Sequence, residues 1–409
     1  MPLPTAGYGA TQGLALPGGA RLQHSRRMKT SRAARRSPRR PSRTASRRFV
    51  LGIDFGTLSA RALLVDADTG EEVATAVQEY ADGVIEETLP GDKRRLPPET
   101  ALQNPEDYLT ALEKTIPKVL RVAKARPEQV LGIGTDFTSC TVLPTRADGT
   151  PLCLDKRWRR NLHAWVKLWK HHAAQPEANF INEVGRQSNE FFLSAYGGRY
   201  SSEWFFSKLL ETVNHAPEVY AAAERFLEAG DWIVWQLCGR ERRCLSAAGF
   251  KAMWLYPASG RGGAAYSYPG NEFFFALHPS LADVVAEKLS GELLPLGAKA
   301  GGLTRAWARR LGLREGTPIA TGNIDAHVAV PACGVTTAGK LVMILGTSTC
   351  HLLLAETRRE VEGVCGVVEN GVVPGLWSYE AGQPSARTSS PRSGPPRRKI
   401  GRASCRERV

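Results

Sequence analysis

The 409-residue sequence contains no apolar run close to the roughly 18 residues that a membrane-spanning helix needs. Its first 48 residues also lack the apolar stretch of a secretory leader. The eight cysteines include no C-x-x-C pair and no regular spacing. Neither a zinc site nor a disulfide framework is therefore indicated, and a reducing cytoplasm is the expected compartment. Cys140, Cys238 and Cys333 lie among apolar residues and read as small buried hydrophobes. Acid is scarce at both ends: residues 1–48 carry twelve Lys/Arg and no Asp/Glu, and residues 384–409 carry a net +7. Of the formal charge of +14, these tails leave −5 for residues 49–383. Both tails are rich in Arg, Ser and Pro, a composition that cannot bury a core and is expected to be disordered. They hold no recognisable nucleic-acid-binding motif, so no nucleic acid is expected as a partner. The first tail also has the Ser/Arg-rich, acid-poor composition of an organelle transit peptide.

What is present between the tails is a folded α/β pattern, with 42% hydrophobic residues over the whole chain. FVLGID (49–54), ARALLVD (60–66) and EVATAVQ (72–78) read as three antiparallel strands, the last two joined through ADTGEE (67–72). Asn104-Pro105 caps and starts a helix through about Ala125, with Tyr108, Leu109, Leu112, Ile116, Val119 and Leu120 at helical spacing. VLGIGTD (130–136) follows as a further strand. Far downstream, KLVMILGTSTCHLLLAE (340–356) repeats the opening plan: apolar strand, Gly-Thr turn, second apolar strand. Two such hairpins suggest a duplicated domain with a cleft between the copies, although two ordinary hairpins would read the same way.

Asp54 interrupts the first strand, and a buried carboxylate without a partner is costly, so a partner or ligand is expected for it. A Gly-Thr turn lets backbone N–H groups and a hydroxyl approach an anion closely, as in other phosphate nests. A carboxylate beside such a turn can hold magnesium through its waters against the same phosphates. Asp54, Gly56 and Thr57 are thus candidates for a metal–nucleotide. In ATGNIDAHVAV (320–330), Asp325 interrupts another apolar stretch and reads either as a helix cap or as a general base. Phosphoryl transfer to a sugar hydroxyl needs such a base together with magnesium and positioning groups. Hydroxyl residues line a strand end in TDFTSCT (135–141), Lys251 sits between aromatics in AAGFKAMW (247–254), and Glu380 precedes glycine in SYEAGQ (378–383). A structural salt bridge would account for either of the last two.

GIDFGT, TDFTSCT, GNIDAH, LGTSTC and YEAGQ together resemble the FGGY carbohydrate kinases, actin-like ATPases of the ribonuclease-H fold. VKLWKHHAAQ (166–175), YGGRYSSEWFFSKLL (196–210), EAGDWIVWQLCG (228–239), AGFKAMW and VEGVCGVVENGVVPG (361–375) resemble the ribulokinase branch of that family. The resemblance covers about 49–383. It implies a duplicated α/β domain whose first copy, 49–338, is complete and whose second, 339–383, is only begun. It implies ATP and Mg2+ as cofactors and phosphorylation of the terminal hydroxyl of ribulose. Residue by residue, Asp54, Gly56 and Thr57 match the first phosphate and metal loop, with Asp54 on the metal. Gly346, Thr347 and Ser348 match the second phosphate hairpin, and Asp325 matches the catalytic base. Ser139, Lys251, Asp325 and Glu380 match contacts to the ketopentose. A homodimer is the implied assembly of a full-length protein, with no membrane partner.

Two departures stand out. YPASGRGGAAYSYPG (256–270) is long and Gly-rich, and is expected to be a surface loop. Where the family continues into a second domain, residues 384–409 show no periodicity or core. Residues 400–409, IGRASCRERV, resemble a short-read sequencing adapter translated through ATC GGA AGA GCG TCG TGT AGG GAA AGA GTG. The expectation is a truncated kinase without its adenosine-binding segments, inactive and poorly soluble, with a protease-resistant core near 49–335. Leu352, Leu353 and Leu354 of the second hairpin are then expected to be exposed. The rival readings are another kinase of the family, of xylulokinase or glycerol kinase type, and an inactive pseudo-kinase whose basic tails bind nucleic acid.

Overall fold

Residues 47–257, 266–345 and 349–383 are described by the computed structural model, and all lie within one compact unit that begins at Ser46. The chain opens with β1 (Phe49–Phe55), β2 (Ser59–Asp66) and β3 (Glu72–Glu79), paired antiparallel in that order. Alternation along β1 buries Phe49, Leu51, Ile53 and Phe55 and turns Asp54 to the other face. Helix α1 (Pro105–Ala123) starts where Asn104 accepts a hydrogen bond from the Glu106 N–H, with Pro105 in its first turn. It lays Tyr108, Leu112, Ile116 and Val119 against β2 and β3. β4 (Val130–Phe137) joins the sheet parallel to β1, which aligns Asp54 with Asp136.

After β5 (Val142–Thr145), α2 (Phe205–His215) and β6 (Arg225–Glu228), helix α3 (Ala229–Cys238) packs behind the sheet and α4 (Leu245–Lys251) follows. β7 (Lys299–Gly302) and β8 (Pro318–Ala320) complete the sheet, in the order β7-β8-β4-β1-β2-β3, and β9 (Asn323–Ile324) extends the pairing on β4. Helix α5 (Asp325–Ala332) springs directly from β9. β10 (Leu341–Leu345), β11 (Thr349–Ala355), β12 (Gly366–Glu369) and β13 (Trp377–Gln383) form a second antiparallel sheet in the order β10-β11-β13-β12. The β10–β11 pair repeats the antiparallel pairing of β1–β2.

Three expectations change here. Leu352 and Leu354 are 1% exposed rather than open to solvent, while Leu353, on the opposite face, is 37% exposed. The reason is that β11 lies between β10 and β13, and its inward face joins the core that contains Phe250, Met253, Ile324 and Val330. The exposed apolar face belongs instead to β10, at Leu341, Met343 and Leu345. Cys333 is exposed because it caps the outer end of α5, whereas Cys140 and Cys238 are buried. The tail is engaged at its last two residues: Arg47 bonds Asp66 and Glu71, each at 2.6 Å, and Arg48 pairs with Asp68. Residues 1–46 and 384–409 lie outside the described residues, as does 258–265, most of the expected Gly-rich loop. The flanks of that loop pair with each other, Tyr256 opposite Ser267.

Candidate functional site

The ends of β1, β4 and β9 bring three acidic residues to one edge of the main sheet. Asp54 and Asp136 are direct neighbours across the parallel pair, and Asp136 is also opposite Asn323, two residues before Asp325. Asp54 is not buried as its strand position suggested. Its carboxylate is about half exposed, with Arg61 at a loose 3.8 Å. Asp136 beside it is half-buried, and its carboxyl is pushed well above the usual range by desolvation and then by the nearby Asp54 and Asp325. Sequence reasoning passed over Asp136, although GIDF and GTDF place an aspartate before phenylalanine on both strands. Among the described residues no three His, Cys, Asp or Glu side chains gather into a metal cage. The Asp54–Asp136 edge, open on one side, fits a magnesium ion of the usual kind, held by one or two carboxylates, its own waters and nucleotide phosphates.

The turn after β1 is held from outside. The Trp169 indole N–H donates to Thr57 Oγ1 at 3.0 Å, and the Gln103 amide donates to the Thr57 carbonyl at 2.8 Å. Among the described residues the Thr57 hydroxyl proton meets no acceptor, which leaves it for another. Gly56 N–H closes the turn onto the Ser59 carbonyl at 3.0 Å. The matching residues of the second hairpin, Gly346, Thr347 and Ser348, lie outside the described residues.

Ser139 follows β4 on a turn whose next residue, Cys140, adopts a left-handed φ of 61°. Lys208 of α2, almost wholly buried, clamps this turn. Its ammonium donates to the Cys140 carbonyl, to that of Leu168 at 2.7 Å and to that of Lys167 at 3.4 Å. Burial draws the Lys208 pKa down to about 8. One turn on, Glu211 takes Lys167 at 2.7 Å and His171 at 2.9 Å. The SSEWFFSKLL and VKLWKHH stretches thus meet as a buried scaffold around the Ser139 turn.

Asp325 opens α5, its Oδ1 accepting from the Ala326 N–H at 2.7 Å. Burial, opposed by that bond and reinforced by Asp54 and Glu380, pushes its carboxyl up to about 6. Lys251, the last residue of α4, meets Glu380 of β13, Nζ lying 2.8 and 2.7 Å from the two carboxylate oxygens. Burial raises the Glu380 carboxyl, but Lys251 and His327 outweigh it and leave its pKa at about 2. Trp204 lies beneath Lys251, 5.5 Å from its ring centre to Nζ. The approach is close because Gly249 and Gly366 have no side chains: a Cβ on Gly249 would come within 2.6 Å of Val368, and one on Gly366 within 2.5 Å of Phe250. His327 and Ser246 complete the network and were not picked out from sequence. The only signal for His327 is its place two residues after Asp325.

Comparison with known proteins bears on this arrangement. The FGGY family of carbohydrate kinases, N-terminal domain, matches residues 49–254. A ribulokinase of Shouchella clausii is 53% identical over 337 residues, covering 82% of this chain and 59% of that protein. A ribulokinase of Bacillus licheniformis is 51% identical over 326 residues, covering 80% of this chain and 58% of that protein. The chain therefore spans a little under three-fifths of the length of these relatives. The fold resembles the xylulose kinase of Rhodospirillum rubrum, with a TM-score of 0.61 at 19% identity, covering 82% of this chain and 60% of that one. It also resembles the glycerol kinase of Plasmodium falciparum with ADP, with a TM-score of 0.60 at 14% identity, covering 84% and 62% of the two chains.

Proposed function

The chain belongs to the FGGY family of carbohydrate kinases, and on that premise we propose that it carries the sugar-binding part of an enzyme that transfers the γ-phosphoryl group of ATP to the terminal hydroxyl of ribulose. The observation that carries the reading is the position of Asp325 between the Asp54–Asp136 edge and the Lys251–Glu380 pair. A carboxyl with a pKa near 6 is ionised at neutral pH and basic enough to take a proton as it is released. In this reading Ser139, Lys251 and Glu380 hold the ketopentose hydroxyls and direct the terminal one at Asp325. That oxygen forms its bond to the γ-phosphorus while the bridging oxygen leaves with ADP, and the hydroxyl proton passes to the Asp325 carboxylate. Magnesium held at Asp54 would neutralise phosphate charge during the transfer. The Gly56–Thr57 turn, whose Thr57 hydroxyl proton has no acceptor among the described residues, would orient the phosphates. Identity near one half to proteins named ribulokinase supports ribulose as the sugar.

The test is a substrate panel on the full-length protein, with sugar-dependent ADP release as the readout. Ribulose should give a kcat/KM at least about tenfold above xylulose or glycerol, the discrimination expected when buried polar groups are left unpaired by the wrong sugar. Preference for xylulose or glycerol would overturn the assignment.

A further inference from the structure

The Glu380 carboxylate is gripped from two sides, and the reaction outlined above uses only one of them. Lys251 reaches both oxygens, while the His327 Nε2 reaches only Oε2, at 3.2 Å. On its far side, His327 Nδ1 lies 2.8 Å from Ser246 Oγ. The ring is fully buried and packs edge-on against Phe250, centroids 4.5 Å apart at 68°. Ser246 and Phe250 are four residues apart on α4, so one face of that helix forms the seat for the imidazole. Both ring nitrogens are thereby assigned: burial favours the neutral ring, Nε2–H donates to the carboxylate, and Nδ1 accepts the Ser246 hydroxyl proton. Among the described residues Oε2 then has two donors and Oε1 has one, so Oε1 retains room for another.

We propose that His327, held by Ser246, is a positioning residue that fixes the Glu380 carboxylate so that Oε1 stays presented to a ketopentose hydroxyl. The sugar part of this statement rests on the reading of Glu380 as a substrate contact. The geometry also ties the proposed base to the proposed sugar grip, because Asp325 and His327 stand two apart on the first turn of α5: Asp325 feels the charges of both Asp54 and Glu380, and His327 bonds Glu380. A histidine that only filled core volume would be replaceable by a ring of similar size, whereas a positioning histidine needs its donor.

Four variants, three of them titrated with ribulose and one compared with the parent by imidazole spectrum, separate these cases. Ribulose is titrated calorimetrically into the 409-residue chain and into His327→Phe, His327→Gln and Ser246→Ala. His327→Phe keeps the volume and loses the donor, and should weaken ribulose binding by roughly tenfold or more, the worth of a hydrogen bond to a charged group. His327→Gln restores a donor near the Nε2 position and should recover most of that loss. Ser246→Ala should fall between them. Equal affinity for His327→Phe and the parent, or no rescue by Gln, would overturn the proposal. The second measurement needs no sugar: imidazole 15N shifts of the parent at neutral pH should show the Nε2–H tautomer, with that proton shifting in Glu380→Gln. A parent that binds no ribulose but gives this spectrum contradicts the ribulose reading and leaves the positioning geometry supported. An Nδ1–H tautomer overturns the geometry whatever the binding, and decides the matter if His327→Phe does not fold.

Discussion

Asp325 shows how the chemistry of a side chain follows from where the fold leaves it. Its carboxyl is raised from an ordinary 3.8 to about 6, first by burial and then by the charges of Asp54 and Glu380. If it is the base, kcat/KM of the full-length enzyme should rise tenfold per pH unit below about 6 and level off above. Asp325→Asn should lower kcat by about 10²–10⁴ with ribulose binding largely kept. The sign for stability is opposite. A raised carboxyl pKa stabilises the folded state fully below 3.8 and withdraws that contribution as pH rises through 6, so ionised Asp325 is a burden at neutral pH. Asp325→Asn should therefore melt higher than the parent above pH 6, with the gain gone below pH 4. Glu380 goes the other way: with its folded pKa near 2 against an ordinary 4.5, its stabilisation is complete above 4.5 and lost as pH falls through 2. Glu380→Gln should lower stability above pH 4.5, and both it and Lys251→Met should raise the KM for ribulose far more than that for ATP. A change confined to the ATP KM would remove both residues from the sugar site. Sequence exposed Asp54 and Asp325 because each breaks an apolar run. Asp136 stayed hidden because its meaning depends on the parallel pairing of β1 with β4, which no local pattern states.

The elements themselves were largely legible. Helix α1 and strands β1, β2, β3 and β4 lie within a residue or two of their sequence-based bounds, since a 3.6-residue period, an Asn-Pro start and two-residue alternation are local signals. What could not be read was which face of β11 would be covered, because that depends on β13 arriving beside it from about thirty residues later. The close seat of α4 against β12 is likewise non-local, and it rests on Gly249 and Gly366. Gly249→Ala would drive a methyl into Val368 and should cost about 1–3 kcal/mol, with a weaker Lys251–Glu380 approach and a higher ribulose Kd. By contrast Leu345→Ser, on the exposed face of β10, should change stability by less than about 0.5 kcal/mol. Leu354→Ala, from the shared core, should cost about 2–5 kcal/mol. Urea denaturation of the three variants orders them. If Leu345→Ser proved the most damaging, the packing described for the second sheet would be wrong.

At the scale of the molecule, the second sheet has, among the described residues, little core of its own beyond Val364, Val367 and Tyr379, and is otherwise built into the core beneath α4 and α5. This brings Glu380, from near the end of the described chain, to Lys251 of α4 and His327 of α5, and Ser139, Lys251, Asp325 and Glu380 all belong to one compact unit. The central claim is that these residues form a ketopentose site within this chain. Calorimetric titration of ribulose into the purified 409-residue chain, with Lys251→Met beside it, tests this most directly. The account predicts saturable binding with a Kd in the range of about 1 μM to 1 mM, without any nucleotide, and its loss in Lys251→Met. Absence of ribulose binding by a folded parent chain, or equal binding by Lys251→Met, would contradict it.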